Sequence, residues 1–350
     1  MASALARSAM RPLALAQIRY VEPARPGSAG ARVDEVYRQV ERDFGVLAPP
    51  VAMHSPAPET MAASWLMLRE TLLAPGLVTR AVREAVASAV SLGNTCPYCV
   101  TVHSATLHGL SGGKDARHIA AGEVDRVRDP AVRAAAAWIA DEARGPFPFP
   151  VEQAPEYVGV AVTFHYLNRM VNTFLEDAPM PPSAPRQGLG MVKRVLSGMI
   201  RAAGRHIGAP GDSLDLLPQA PTPPDAAWTR QNPIIAEAVA RADAAVERAG
   251  ERSVPTAVRA LVRTEVEAWD GRPKGVSRAW VEHCARTLPA EQRPAGRLAL
   301  LTALASYQID ASLIGDFRMV NPDDAPLIEL TAWSAWTAAR EQGRRLYQGT

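Results

Sequence analysis

The chain has 350 residues, 47% of them hydrophobic, and a formal net charge of +2. That apolar content supports a buried core and excludes wholesale disorder. The near-neutral balance argues against a general polyanion binder, so no nucleic-acid partner is expected. The length suits two ordinary domains, or one domain and a decayed copy of it.

In chain order, residues 1–31 read as a frayed N-terminal tail. Arg7, Arg11 and Arg19 precede the first acid, Glu22, in a faintly leader-like pattern, but the apolar segment is short and no convincing cleavage site follows. A cytoplasmic protein is the expectation. No apolar run reaches the ~18–20 residues of a membrane-spanning helix, so no membrane partner is expected.

Helical spacing begins near Val33, with Val33, Val36, Tyr37 and Val40 on one face. The proline-rich "LAPPVAMHSPAPE" reads as extended. Helices are predicted over 57–74, 78–93, 97–110, 130–144 and 153–176, and alternating strand patterns are scarce. The predicted fold class is all-α, with a first domain over 32–178.

A linker is predicted over 179–228. It carries one basic amphipathic helix, "MVKRVLSGMIRAAGRHI", read as packing on the protein's own core rather than on a membrane. From 229 to 350 the pattern is helical again. "VREAVASAV" (82–90) and "VRALVRTEV" (258–266) share four of nine residues at an offset of 176, which suggests a degenerate repeat. Carried forward, the offset sets Ala260, Arg272, Gly275 and Ala279 opposite Glu84, Cys96, Cys99 and His103. The second half has then kept its helices and lost every reactive group.

Chemistry concentrates in "SLGNTCPYCVTVHSATLHGL" (91–110). Three cysteines make no disulfide framework, and Cys284, far from the pair, reads as a buried small hydrophobe. Cys96 and Cys99 form a Cys-x-x-Cys pair with His103 four residues on. Structural zinc needs four ligands and no second knuckle exists, so no metal is expected. A permanent disulfide between residues three apart would close a tiny loop with little entropic gain. A dithiol that opens and closes suits the spacing better.

Pro97 fits the first turn of a helix, which places both sulfurs at a helix start where dipole and free N–H groups lower a thiol pKa. His103 stands one turn beyond Cys99 on the same face. Glu84, in an apolar stretch of the preceding helix, needs a partner, and His103 is the obvious one. Thiol, base and orienting acid are the general form of an activated nucleophile. Helix position favours Cys96 as the attacking sulfur and the histidine favours Cys99.

The pattern Glu84, Cys96, Cys99, His103, with all three spacings, resembles the active-site signature of AhpD-like alkylhydroperoxidases in the carboxymuconolactone decarboxylase superfamily. The resemblance covers about 60–180. It implies an all-α fold, often oligomeric, and a cofactor-free thiol peroxidase for organic hydroperoxides that is recycled by an external dithiol or disulfide reductase. It assigns Cys99 as peroxidatic, Cys96 as resolving, and His103 with Glu84 as the proton relay. Tyr98 departs from members that carry a second histidine between the cysteines, and the added second half is atypical. The alternatives are a general dithiol oxidoreductase using the same residues, or a non-catalytic helical binding or assembly protein. His165 and Asn168 in "FHYLNRMVN" read as ordinary helix packing and stay outside the catalytic set.

Overall fold

Regular structure in the computed structural model is helical throughout the described residues, 4–111, 113–141, 145–179 and 207–347, apart from one isolated bridge between Ile18 and Leu175. The first half holds α1 (Ala4–Leu15), α2 (Ala31–Asp43), α3 (Pro49–Ala52), α4 (Pro58–Leu68), α5 (Arg80–Gly93), α6 (Pro97–Ser111), α7 (Asp115–Ala120), α8 (Pro130–Ala140) and α9 (Ala154–Phe174). The second holds α10 (Pro233–Ser253), α11 (Thr256–Ala268), α12 (Ala279–Ala285), α13 (Arg293–Leu304), α14 (Ala311–Arg318) and α15 (Asp324–Leu346). The fold is all-α. No helix among the described residues is long and apolar enough to cross a membrane.

The central element is α9, whose side chains are buried at every position except Asn172. A helix apolar around most of its circumference must be enclosed, and α9 is packed on by α4, α5 and α6 from the first half and by α13 and α15 from the second. Its contact with α15 is close: a Cβ at Gly343 would lie 2.5 Å from Val162 Cγ2. One hydrophobic core therefore runs through both halves, with Trp65, Phe164, Trp333 and Trp336 all inaccessible to solvent.

The offset of 176 seen in the sequence maps α5 onto 256–269, against the observed Thr256–Ala268 of α11. It maps α4 onto 234–244, inside α10.

Three expectations change. The stretch read as a frayed tail contains α1 and is tied down. Arg11 forms a two-pronged ion pair with Glu41 (Nε–Oε1 2.6 Å, Nη2–Oε2 2.8 Å), and Arg19 N–H donates to Phe174 O at 2.8 Å. "LAPP…" is not extended, because Pro49 and Pro50 occupy the first helical positions of α3, where a missing N–H costs nothing. The predicted linker is no free tether over 207–228. Arg241 of α10 donates to Leu214 O (2.7 Å) and Leu217 O (2.6 Å), and Glu70 accepts from Gly211 N–H (2.9 Å) and Ser213 Oγ (2.6 Å). The amphipathic helix read over 191–207 lies outside the described residues except for its last position, Ile207.

The turn before α5 is fastened by α9. Glu156 accepts from the N–H groups of Leu77 (2.7 Å) and Val78 (2.9 Å), and buried Arg83 donates to Ala74 O at 2.7 Å. These bonds fix the start of α5 and the rotation of its face toward α6.

Candidate active site

α5 and α6 meet at a short turn, Asn94–Thr95–Cys96, in which Thr95 takes φ +52°. A non-glycine residue there carries strain that its surroundings must hold. Here Cys96 N–H donates to Ser91 O at 3.0 Å, and Cys96 O accepts from Val100 N–H at 3.0 Å as α6 starts at Pro97. Cys96 thus stands immediately before the helix and Cys99 in its first turn, as the proline placement predicted.

Both thiols are free and buried, Cys96 1% and Cys99 3% exposed. This alters the electrostatic expectation for Cys99. Burial, with Cys96 alongside, pushes the Cys99 thiol well above its usual range, and hydrogen bonding from Asn168 opposes that only in part. Desolvation disfavours the thiolate at this position. Cys99 is therefore a thiol at rest, and a base must remove its proton.

The candidate base, His103, is held across the α5–α6 contact. His103 Nδ1 lies 2.7 Å from Glu84 Oε2, and Phe164 of α9 meets the imidazole edge-on with centroids 4.5 Å apart. Glu84 is fully buried. Burial alone would raise its pKa, but Arg80 and His103 together hold the carboxyl down to about 2. Glu84 is thus an anion, and it accepts the hydrogen bond from His103 Nδ1. Cys99 is one helical turn away on α6.

Two residues here escaped the sequence reading. Arg80, four residues before Glu84 on α5, donates from Nε to Glu84 Oε1 at 2.7 Å. The i,i+4 spacing is a visible signal, but an arginine near a glutamate on a helix ordinarily means a solvated surface pair. Asn168, set aside as packing, donates from Nδ2 to Ser91 Oγ (3.0 Å), accepts on Oδ1 from Asn94 Nδ2 (2.9 Å) and bonds Cys99. His165 joins Asn94 instead, through Nδ1 at 3.1 Å. The signal was present: His165, Asn168 and Asn172 form a polar row at helical spacing on a largely apolar helix.

Tyr98 is buried between the two cysteines, with its hydroxyl 3.4 Å from Gln17 Oε1. The segment after α1 therefore lies over the dithiol turn. Cys284 is half-buried on α12, which corrects the reading of it as a core residue. At the offset of 176, the positions opposite Glu84, Cys96, Cys99 and His103 are an alanine, an arginine, a glycine and an alanine.

Fold and site together define a helical protein in which a buried dithiol stands at the start of the helix that carries a carboxylate-anchored histidine. The profile of the carboxymuconolactone decarboxylase family matches residues 58–141, a span that holds Glu84, Cys96, Cys99 and His103. Over 333 residues, 93% of this chain and 94% of the relative, the sequence is 37% identical to a Mycobacterium tuberculosis protein named as an alkyl hydroperoxide reductase. The chain belongs to the AhpD-like, carboxymuconolactone decarboxylase superfamily. The similarity to the mycobacterial protein extends through the second half, so that half is not peculiar to this chain.

Proposed function

We propose that the protein is a thiol peroxidase that reduces organic hydroperoxides through a dithiol–disulfide cycle of Cys99 and Cys96. The observation that carries this reading is the 2.7 Å bond between His103 and Glu84 beside two free cysteines at the start of α6. The similarity to a protein named as an alkyl hydroperoxide reductase adds to it.

In this cycle Glu84 stays ionised and holds Nδ1–H of His103, so Nε2 takes the Cys99 proton. The thiolate attacks the distal oxygen of ROOH. The O–O bond breaks, ROH leaves with a proton, and Cys99 becomes a sulfenic acid. Cys96 attacks that sulfur, water is lost, and a disulfide forms. An external dithiol then reduces the disulfide and is itself oxidised. Asn168 donates to Cys99 and favours the thiolate. The high resting pKa of Cys99 makes the histidine indispensable, because little thiolate forms without it.

Residues 229–350, read as a degenerate repeat, serve in this proposal as a permanent cover for α9 and α4, surfaces that a shorter relative would bury between subunits. Turnover of cumene hydroperoxide with dithiothreitol tests the function. Mass analysis of the peroxide-treated protein should show loss of two hydrogens from the peptide spanning 96–99. A protein that turns over no hydroperoxide but oxidises and reduces other dithiols would favour the general oxidoreductase instead.

A further inference from the structure

One residue beyond Asn168, α9 carries a buried cation that the relay does not use. Arg169 is 4% exposed, and donates from Nε to Ala303 O at 2.8 Å and from Nη1 to His165 O at 2.6 Å. Its guanidinium carbon lies 5.7 Å from the centre of a Trp269 ring. Burial lowers its pKa to about 10, which still leaves it charged at neutral pH. No carboxylate among the described residues pairs with it. Arg345, 5.9 Å from a ring of the same tryptophan, has Glu341 at 2.6 Å. A buried charge without an opposite charge is costly.

Arg169 opens onto a cleft at the seam between the end of α5 and the end of α13, lined also by Asn94, Trp269, Ser306 and Tyr307. The cleft is small, about 30 Å³, room for about two water-sized groups and so for a carboxylate. Ser306 is buried there. Its hydroxyl oxygen accepts from Asn172 Nδ2 at 3.1 Å, and no protein acceptor for its hydrogen stands among the described residues. One wall is Asn94, whose side chain donates to Asn168, the residue that bonds Cys99. The cleft and the thiol are thus joined through a single pair of asparagines.

We propose that this cleft binds the carboxylate of its substrate, so that the preferred hydroperoxides are those of carboxylic acids. The Arg169 cation and the Ser306 hydroxyl would hold the acid group while the peroxy group reaches Cys99. The proposal rests on the peroxidase reading for its substrate, but not for the binding of a carboxylate.

The test uses the full-length protein with dithiothreitol as reductant, and compares a fatty-acid hydroperoxide with its methyl ester. The acid should show a KM about 10- to 100-fold below that of the ester, the range of a hydrogen bond to a charged group. Arg169→Gln should abolish this acid-over-ester ratio and Arg169→Lys should keep part of it. Ser306→Asp, which puts a carboxylate into the cleft and leaves Arg169 its two carbonyl bonds, should abolish the ratio if Arg169→Gln fails to fold. Calorimetric titration with decanoate should show binding to the wild type, and none to Ser306→Asp. Equal KM values for acid and ester in the wild type, or a ratio that survives Arg169→Gln or Ser306→Asp, would overturn the proposal with the peroxidase reading intact. If no hydroperoxide is turned over, the peroxidase reading fails, and the decanoate titration alone decides whether the cleft takes a carboxylate.

Discussion

Glu84 divides its two oxygens between Arg80 and His103, with Oε1 2.7 Å from Arg80 Nε and Oε2 2.7 Å from His103 Nδ1. A carboxylate held by a permanent cation on one side cannot readily accept a proton from the imidazole on the other. In the proposed cycle it would therefore orient the ring and support the imidazolium, rather than relay the proton onward. His103→Ala and Glu84→Gln are each expected to lower peroxide reduction by about 10²–10⁴-fold, the range for a positioned general base. Both should also move the pH profile of Cys99 alkylation upward. An unchanged alkylation profile in both variants would make the pair structural.

The two cysteines are not equivalent in their surroundings, yet the cycle needs both. Cys96→Ser and Cys99→Ser should each abolish multiple turnover, whereas half-buried Cys284, on α12, should be replaceable by serine without loss. Cys96→Ser should still consume one equivalent of peroxide and leave a sulfenic acid on Cys99, which a dimedone label would detect. Full turnover by either single variant of the pair would end the dithiol reading.

Asn168 is expected to act on the thiolate through a hydrogen bond. Hydrogen bonds to charged groups contribute about 1.5–3 kcal/mol, so Asn168→Ala should raise the alkylation midpoint by about one to two pH units. Asn168→Asp should raise it further, since it adds like charge to the site. Circular dichroism would report whether either variant is merely unfolded. A loss of activity with no movement of the midpoint would assign Asn168 to packing alone.

Acid should weaken the fold through Glu84. Its carboxyl is held at about 2 in the folded protein against an ordinary 4.5, so the unfolded chain takes up the proton first as pH falls. The stabilisation, on the order of 3 kcal/mol, is fully present above about pH 4.5 and is lost as pH falls toward 2. Urea unfolding of wild type and Glu84→Gln at several pH values would measure it. The gap between the two should narrow over that window, and a constant gap would contradict the assignment.

Removal of the second half exposes α9, which lies in the core shared by both halves. A chain ending at residue 178 should aggregate or change its assembly state although Glu84, Cys96, Cys99 and His103 are all retained. In the full chain, Gly250→Ala should destabilise, because its new Cβ would fall 2.2 Å from Trp333 Cδ1. Overpacking of this kind costs about 1–3 kcal/mol, readable as a lowered unfolding midpoint. A soluble, fully active 1–178 fragment would show the halves to be independent.

Helix positions and the candidate reactive residues were readable from local spacing. Apolar residues at helical spacing located α5, α6 and α9 to within a few residues, because local periodicity fixes which face must be buried. Pro97 placed the dithiol at a helix start, since proline suits the first turn and little else within a helix. Glu84, Cys96, Cys99 and His103 were legible because a turn of helix sets the spacing of Cys99 and His103, and because a carboxylate in an apolar stretch demands a partner. What surrounds them follows from packing between distant elements. Burial of both thiols reversed the expected direction of the Cys99 pKa, since desolvation depends on what covers a group and not on its neighbours in sequence. Asn168 acquired its surroundings from the turn after α5, 74 residues before it, and Arg169 from α13, 134 residues after it. The N-terminal segment, read as a tail, is held by ion pairs and backbone bonds to elements as distant as Phe174. Such contacts depend on which helix faces meet, and local spacing carries no record of that.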